Sequence, residues 1–219
     1  MVTASHNPPA YQGLKVLLPW GGGAPDAVSA KLVAAAERTL RRGEPARGPV
    51  PTARFDPVPG YLSALLRRLG PLPRGRRLRV VYDAMHGCGA GVLDRALAER
   101  GAAVELLRGE PDPRFGGVAP DPTPARLVAL GRRVRGLSGL RVGLATDGDA
   151  DRLAAVDADG AILSETELLA LLVDHLARTG RVARGVAISV ATGSLVEHVA
   201  RRAGAAARRG GRARDQALS

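Results

Sequence analysis

The hydrophobic pattern along this chain switches repeatedly between two periods. Short apolar runs of strand length alternate with longer stretches in which apolar residues recur every three or four positions. Leu14 to Leu18 reads as a short strand, with Lys15 on the face opposite Leu14 and Val16. After the loop Pro19 to Pro25, Asp26 is placed to cap a helix over 27–42, with Leu32, Ala35, Ala36 and Leu40 near one face. Gly43 to Pro51 is rich in Pro and Gly and reads as a linker. A helix over 61–69 then precedes the strand Leu78 to Tyr82, a glycine-rich turn, a helix over 92–100 and the strand Ala103 to Leu107. Strand, glycine turn, helix, strand is a βαβ unit.

A polar loop over 109–123 leads into a helix over 123–135 and the strand Leu140 to Ala145. Ala154 to Asp157 and Ala161 to Leu163 flank the turn Asp157-Ala-Asp159-Gly160 as a hairpin-like exit. Ser164 and Glu167 have the spacing of a capping box for a helix over 165–178. Val186 to Val190 is a further strand, followed by a helix over 194–203. From Gly204 to Ser219 there is no apolar periodicity. The Arg, Gly and Ala content there predicts disorder or a frame-shifted terminus, and no following strand. The fold class is therefore α/β, with mixed or parallel sheets flanked by helices.

The hydrophobic fraction, 45%, supports a buried core, and aromatics at 3% make that core aliphatic. The single cysteine, Cys88, rules out an internal disulfide and suits a reducing cytoplasm. No signal peptide and no long apolar run is present, so neither secretion nor a membrane span is expected. The net charge of +11 raises the question of nucleic acid. Only Lys15 and Lys31 are lysines, and six arginines fall in the last nineteen residues without an aromatic stacking motif. No nucleic-acid function is expected.

Two stretches carry chemistry. The first is Asp147-Gly-Asp149-Ala-Asp151-Arg152, delivered by the strand over 140–145. Three carboxylates at alternate positions of a loop can converge, and hard cations such as Mg²⁺ take carboxylate oxygens. A solvated acidic turn is the plainer alternative. An EF-hand loop is excluded, because its twelfth position, Ala158, is not Glu. The second stretch is Thr3-Ala-Ser5-His6-Asn7-Pro8-Pro9. A serine on a proline-bounded loop is a nucleophile or phosphoryl carrier if a base or positive charge lies near, and otherwise part of a terminal turn. Gly87-Cys-Gly89-Ala-Gly91 lacks the dinucleotide spacing, and no Walker motif occurs. Tight helix–strand packing accounts for those glycines.

Taken together, Thr3-Ala-Ser5-His6-Asn7-Pro8, Tyr11-Gln-Gly-Leu-Lys15, Met85-His-Gly87, Phe115-Gly-Gly117 and Asp147-Gly-Asp-Ala-Asp151-Arg152 follow the order and spacing of the α-D-phosphohexomutases. The resemblance looks strongest to the bacterial phosphoglucomutase/phosphomannomutase branch. It implies that Ser5 carries a phosphoryl group and that Asp147, Asp149 and Asp151 hold Mg²⁺ together with a phosphoserine oxygen. It also implies that Lys15 acts as acid, base or charge stabiliser, that His6 and Asn7 shape the serine loop, and that Arg152 orients phosphate. The implied substrate is a hexose 1- or 6-phosphate, with glucose 1,6-bisphosphate as activator and intermediate. The implied domains are the end of domain I over 1–52, a complete domain II over 57–160, and the start of domain III over 161–203. Residues 204–219 form the tail. The family pattern extends beyond both ends of this chain, so the expectation is little or no mutase activity from it alone. The alternative is a non-catalytic remnant that at most binds Mg²⁺ or sugar phosphate.

Overall fold

A computed structural model describes residues 1–43, 48, 53–70, 72, 77–182 and 185–210. Most of the expected linker, together with residues 211–219, lies outside the described residues. The central unit is a four-stranded sheet built from β1 (Arg79–Asp83), β2 (Ala103–Leu107), β3 (Arg141–Thr146) and β4 (Leu153–Val156). Their spatial order is β2-β1-β3-β4. The first three strands are parallel and β4 runs antiparallel to β3.

The apolar run of β1 explains this placement, because a strand covered on both faces cannot alternate with polar residues. Val81 faces one side, where it packs with Leu127, Leu130, Val134, Ala145 and Val156. Leu130 and Val134 belong to α4 (Val128–Arg135). Val80 and Tyr82 face the other side, against Leu93 and Leu97 of α3 (Leu93–Glu99). The result is an α/β/α layering over β1 and β3, with their C-terminal ends side by side. Ligands of open α/β sheets gather at that edge.

The remaining helices are α1 (Asp26–Arg42), α2 (Val58–Arg68), α5 (Glu165–Arg178) and α6 (Ser194–Arg202). The expected capping box is present on α5: Ser164 Oγ accepts from the Glu167 N–H, and Glu167 accepts from the Ser164 N–H. The expected hairpin exit also forms. Asp157 Oδ1 accepts from the Asp159 and Ala161 N–H groups, although Ile162 makes only an isolated bridge to Val156.

Three expectations need correction. Leu14 to Leu18 is not a strand. It makes isolated antiparallel bridges, Val2 with Leu14 and Leu17 with Gly23, too few to extend a ladder. Asp26 is the first residue of α1 rather than its cap, since Pro25 occupies the cap position without a side-chain bond. A strand does follow α6: β6 (Ala207–Gly210) pairs in parallel with β5 (Val186–Ser189). Composition hid it. Ala205 and Ala207 join the cluster of Val173, Ile188 and Val196, while Arg209 bonds the carbonyls of Ser189 and Thr192 and pairs with Glu197. Ladder bonds need backbone groups, not an apolar alternation.

No residue of α1 is buried, so its stripe of Leu32, Ala35, Ala36 and Leu40 faces outward. Among the described residues no helix is long and apolar enough to cross a membrane.

Candidate phosphoryl-transfer and metal site

Asp147 begins the loop that leaves β3, and it is fully buried. The loop bends because Ala150 sits in the left-handed region, at φ 60°, with its N–H bonded to the Asp147 carbonyl. A non-glycine residue in that region costs about 1–2 kcal/mol. The bend brings Asp149 and Asp151 back beside Asp147, and one oxygen of each lies within 4.8 Å of the others.

The glycine turn after β1 supports this loop from beneath. The Cys88 N–H donates to the Gly148 carbonyl at 3.0 Å. A Cβ at Gly87 would meet that carbonyl oxygen at 2.7 Å, and one at Gly89 would overlap the Tyr82 hydroxyl, itself bonded to Thr146. These glycines thus admit the aspartate loop, a more specific reason than the helix–strand packing expected from sequence.

The N-terminal segment docks on top. Ser5 also has positive φ, 54°. Its Oγ donates to Asp147 Oδ2 at 3.0 Å. Thr3 Oγ1 accepts the Ser5 N–H at 2.8 Å and donates to Asp149 Oδ2 at 2.9 Å. Lys15 Nζ donates to Asp149 Oδ2 at 3.1 Å and lies 3.5 Å from Asp151 Oδ2. Six side chains, three from the N-terminal segment and three from the aspartate loop more than 130 positions away, therefore meet at one point.

Their charges are balanced unevenly. Burial pushes the Asp147 carboxyl above its usual range, and the neighbouring aspartates add to that, against hydrogen bonds from the Arg152 N–H and Ser5. Burial also opposes ionisation of Asp149. The bonds from Thr3 and Lys15 and the Lys15 charge outweigh it and hold that carboxyl below the usual range. The hydrogen bond to Asp149 holds Lys15 more firmly protonated than a free lysine, with the Asp149 and Asp151 charges adding to it.

The donor set fits a hard divalent cation. All three ligands are carboxylates, and Asp149 Oδ1 is a buried oxygen with no hydrogen-bond partner. An orphaned buried carboxylate oxygen is costly unless something electropositive meets it.

The other expected residues are more peripheral. His6 Nδ1 lies 3.4 Å from Ser5 Oγ, at the edge of hydrogen-bond range. Asn7 is exposed and closes the serine turn through its N–H to the Ala4 carbonyl. Arg152 donates its backbone N–H to Asp147 Oδ1, while its guanidinium lies 3.8 Å from Asp121. Sequence reasoning assigned no role to Thr3 or Asp121. The hydroxyl two positions before Ser5 signals a side-chain-stabilised turn. Asp121 was signalled only by the prolines on either side of it.

Comparison with known proteins agrees with this geometry. Residues 59–160 match phosphoglucomutase/phosphomannomutase alpha/beta/alpha domain II, and residues 1–42 match domain I of the same family. A phosphopentomutase of Thermococcus kodakarensis is 32% identical over 93% of this chain and 44% of its own length. A phosphoglucosamine mutase of Parafrankia is 36% identical over 92% of this chain and 43% of its own. The crystal structure of a Thermus thermophilus protein assigned as a phosphomannomutase superposes with a TM-score of 0.79 at 30% identity. The match covers 96% of this chain and 48% of that one. The chain thus spans less than half the length of these relatives.

Proposed function

The chain belongs to the α-D-phosphohexomutase family, and from that premise we propose that Ser5 carries a phosphoryl group exchanged with a sugar phosphate in a Mg²⁺-dependent reaction. The observation that carries the reading is the convergence of the Ser5 hydroxyl and Lys15 on Asp147, Asp149 and Asp151. In this reading the three aspartates hold Mg²⁺. When bound, the ion offsets charge on the transferring phosphoryl group.

The chain's own residues do the rest. Ser5 Oγ attacks phosphorus as the bond from phosphorus to the sugar oxygen breaks, and the hydroxyl proton leaves along the bond to Asp147 Oδ2. The sugar oxygen takes up a proton as it departs. Lys15, held against two of the carboxylates, is the cation positioned to supply that proton or stabilise the charge. In the reverse direction the phosphoserine returns its phosphoryl group to the other hydroxyl of the sugar monophosphate. The left-handed turn at Ser5 presents the hydroxyl to this cluster, and His6 and Asn7 shape that turn. Arg152 orients the phosphate.

The hexose preference is tested by transfer. Chain labelled at Ser5 from radioactive glucose 1,6-bisphosphate is mixed with glucose, mannose, glucosamine or ribose phosphates. The reading expects label to pass to a hexose phosphate. Label that passes only to the pentose phosphate would move the assignment to a different sugar class, and label that passes to none would sink the transfer reading. Magnesium binding without any labelling of Ser5 would leave a binding-only role.

Gly148 gives a separate check on docking. A Cβ there would meet the Ser5 carbonyl oxygen at 2.8 Å and Pro120 Cγ at 2.9 Å. Gly148→Ala should displace the serine loop and lower the rate of Ser5 phosphorylation roughly 100-fold, the scale of a 1 Å misplacement. Labelling kinetics at wild-type rate in this variant would contradict the docked geometry.

A further inference from the structure

Arg152 has a long side chain that is 48% exposed, and fixing it costs rotamer entropy. Such a group does not aim itself. Among the described residues its guanidinium has one acidic partner: Nη1 lies 3.8 Å from Asp121 Oδ1. Both residues line a cleft of about 890 Å³ that runs between the aspartate loop and the start of α5, with Ser164 and Leu168 on its far side.

Asp121 is itself held unusually firmly for a loop residue. Pro120 and Pro122 restrict its backbone on both sides. Pro120 is buried and packs against Gly148 of the aspartate loop. The Asp121 N–H donates to the Ala119 carbonyl, and its own carbonyl accepts from the Thr123 N–H. Its second carboxylate oxygen lies 3.7 Å from Arg126 Nη1, which also donates to the Asp121 carbonyl at 3.3 Å. The Arg126 carbonyl accepts from Arg108 Nη2 at 3.4 Å, and Arg108 grips the buried Asp83 at the end of β1 through two bonds. A continuous chain of contacts therefore runs from the sheet core, through Arg108, Arg126 and Asp121, to Arg152.

We infer that Asp121 is a positioning residue for Arg152, an inference that rests on the phosphoryl-transfer reading above. Its carboxylate sets the direction of the guanidinium. The 3.8 Å separation is that of an ion pair without a direct hydrogen bond, so the N–H donors are left for a phosphate. A partly exposed pair of this kind adds little to stability. Its geometry is what matters.

Charge and position predict opposite outcomes. The Asp121 carboxylate repels an incoming phosphate, so if charge alone mattered, Asp121→Asn would tighten phosphate binding. If position matters, the same change weakens it. The test follows the Arg152 Nε–H resonance in wild type, Asp121→Asn and Asp121→Glu, assigned by its loss in Arg152→Lys. The concentration of glucose 1,6-bisphosphate that half-saturates Ser5 labelling is measured on the same samples. The expected result is a dispersed, rigid signal in wild type that moves to the position of a free arginine in Asp121→Asn and recovers in Asp121→Glu. Half-saturation should rise roughly tenfold in Asp121→Asn with the maximal labelling rate unchanged. Arginine signals other than those of Arg152 and of Arg126, the second partner of the Asp121 carboxylate, should stay put, as should the melting temperature. An unmoved Arg152 signal, or a half-saturation that is unchanged or falls, would overturn the inference. A wild-type chain that fails to label, with the Arg152 signal shifting as expected, would instead remove the phosphoserine reading and leave only the anchoring of Arg152.

Discussion

Ser5→Ala is expected to reduce phosphoryl uptake from a sugar bisphosphate to background while the chain stays folded. The argument is one of supply. Covalent transfer needs an oxygen that can leave its proton, accept phosphorus and return it. Two hydroxyls stand at the aspartate cluster, but they differ in what they already do. Thr3 Oγ1 is committed on both sides, accepting from the Ser5 N–H and donating to Asp149. Ser5 Oγ donates to Asp147 Oδ2, and its other contact is only the 3.4 Å approach of His6 Nδ1. Removing it leaves Asp147 Oδ2 without that donor, at a local cost of about 1–3 kcal/mol in a buried setting. The cores around Val81 and Val80 are untouched by the change. The check is uptake of radioactive phosphate alongside the circular dichroism of the same samples. Undiminished uptake by the alanine variant would place the phosphoryl group elsewhere, with Thr3 the first residue to examine.

Asp147→Asn is expected to do two things of opposite sign. Asparagine keeps the shape of the side chain and can still accept from the Arg152 N–H, but it removes a buried negative charge. Burial already disfavours that charge, and Asp149 and Asp151 disfavour it further. A carboxyl whose folded pKa is raised costs stability at neutral pH, so its removal should stabilise the metal-free chain. The same substitution removes one of three carboxylate ligands. Phosphoryl uptake at fixed Mg²⁺ should fall by about three orders of magnitude, the range seen when a group that stabilises transition-state charge is lost. Raising Mg²⁺ should recover part of it. Thermal unfolding in chelator and uptake against Mg²⁺ concentration read the two halves separately. A variant that is less stable without metal, and insensitive to added Mg²⁺, would mean that Asp147 serves packing rather than the ion.

How far this site was legible from sequence depends on distance along the chain. The aspartate loop was legible because its three carboxylates are local, and the apolar run of β3 places it at a strand end. The βαβ unit was legible because β1 is covered on both faces and reads as a continuous apolar run, with a glycine turn and a helix between it and β2. The docking of Thr3 and Lys15 on Asp149 spans more than 130 positions, and no local pattern encodes it. Ordered motifs resembling a family supplied that link. The role of Gly87 was misjudged for the same reason: its close neighbour is Gly148 on another loop, not the helix beside it. Strand β6 was missed because four residues, two of them arginines, show no apolar period, although their backbones pair with β5. The positive φ at Ser5 and Ala150 also left no trace, since neither residue type favours that region.

The most direct test of the central claim is phosphopeptide mapping of the wild-type chain after exposure to glucose 1,6-bisphosphate, with Mg²⁺ and with chelator. The account predicts one phosphoryl group, on Ser5, present with Mg²⁺ and absent with chelator. A phosphoryl group on another residue, or no modification of folded chain that has Mg²⁺ bound, would contradict it.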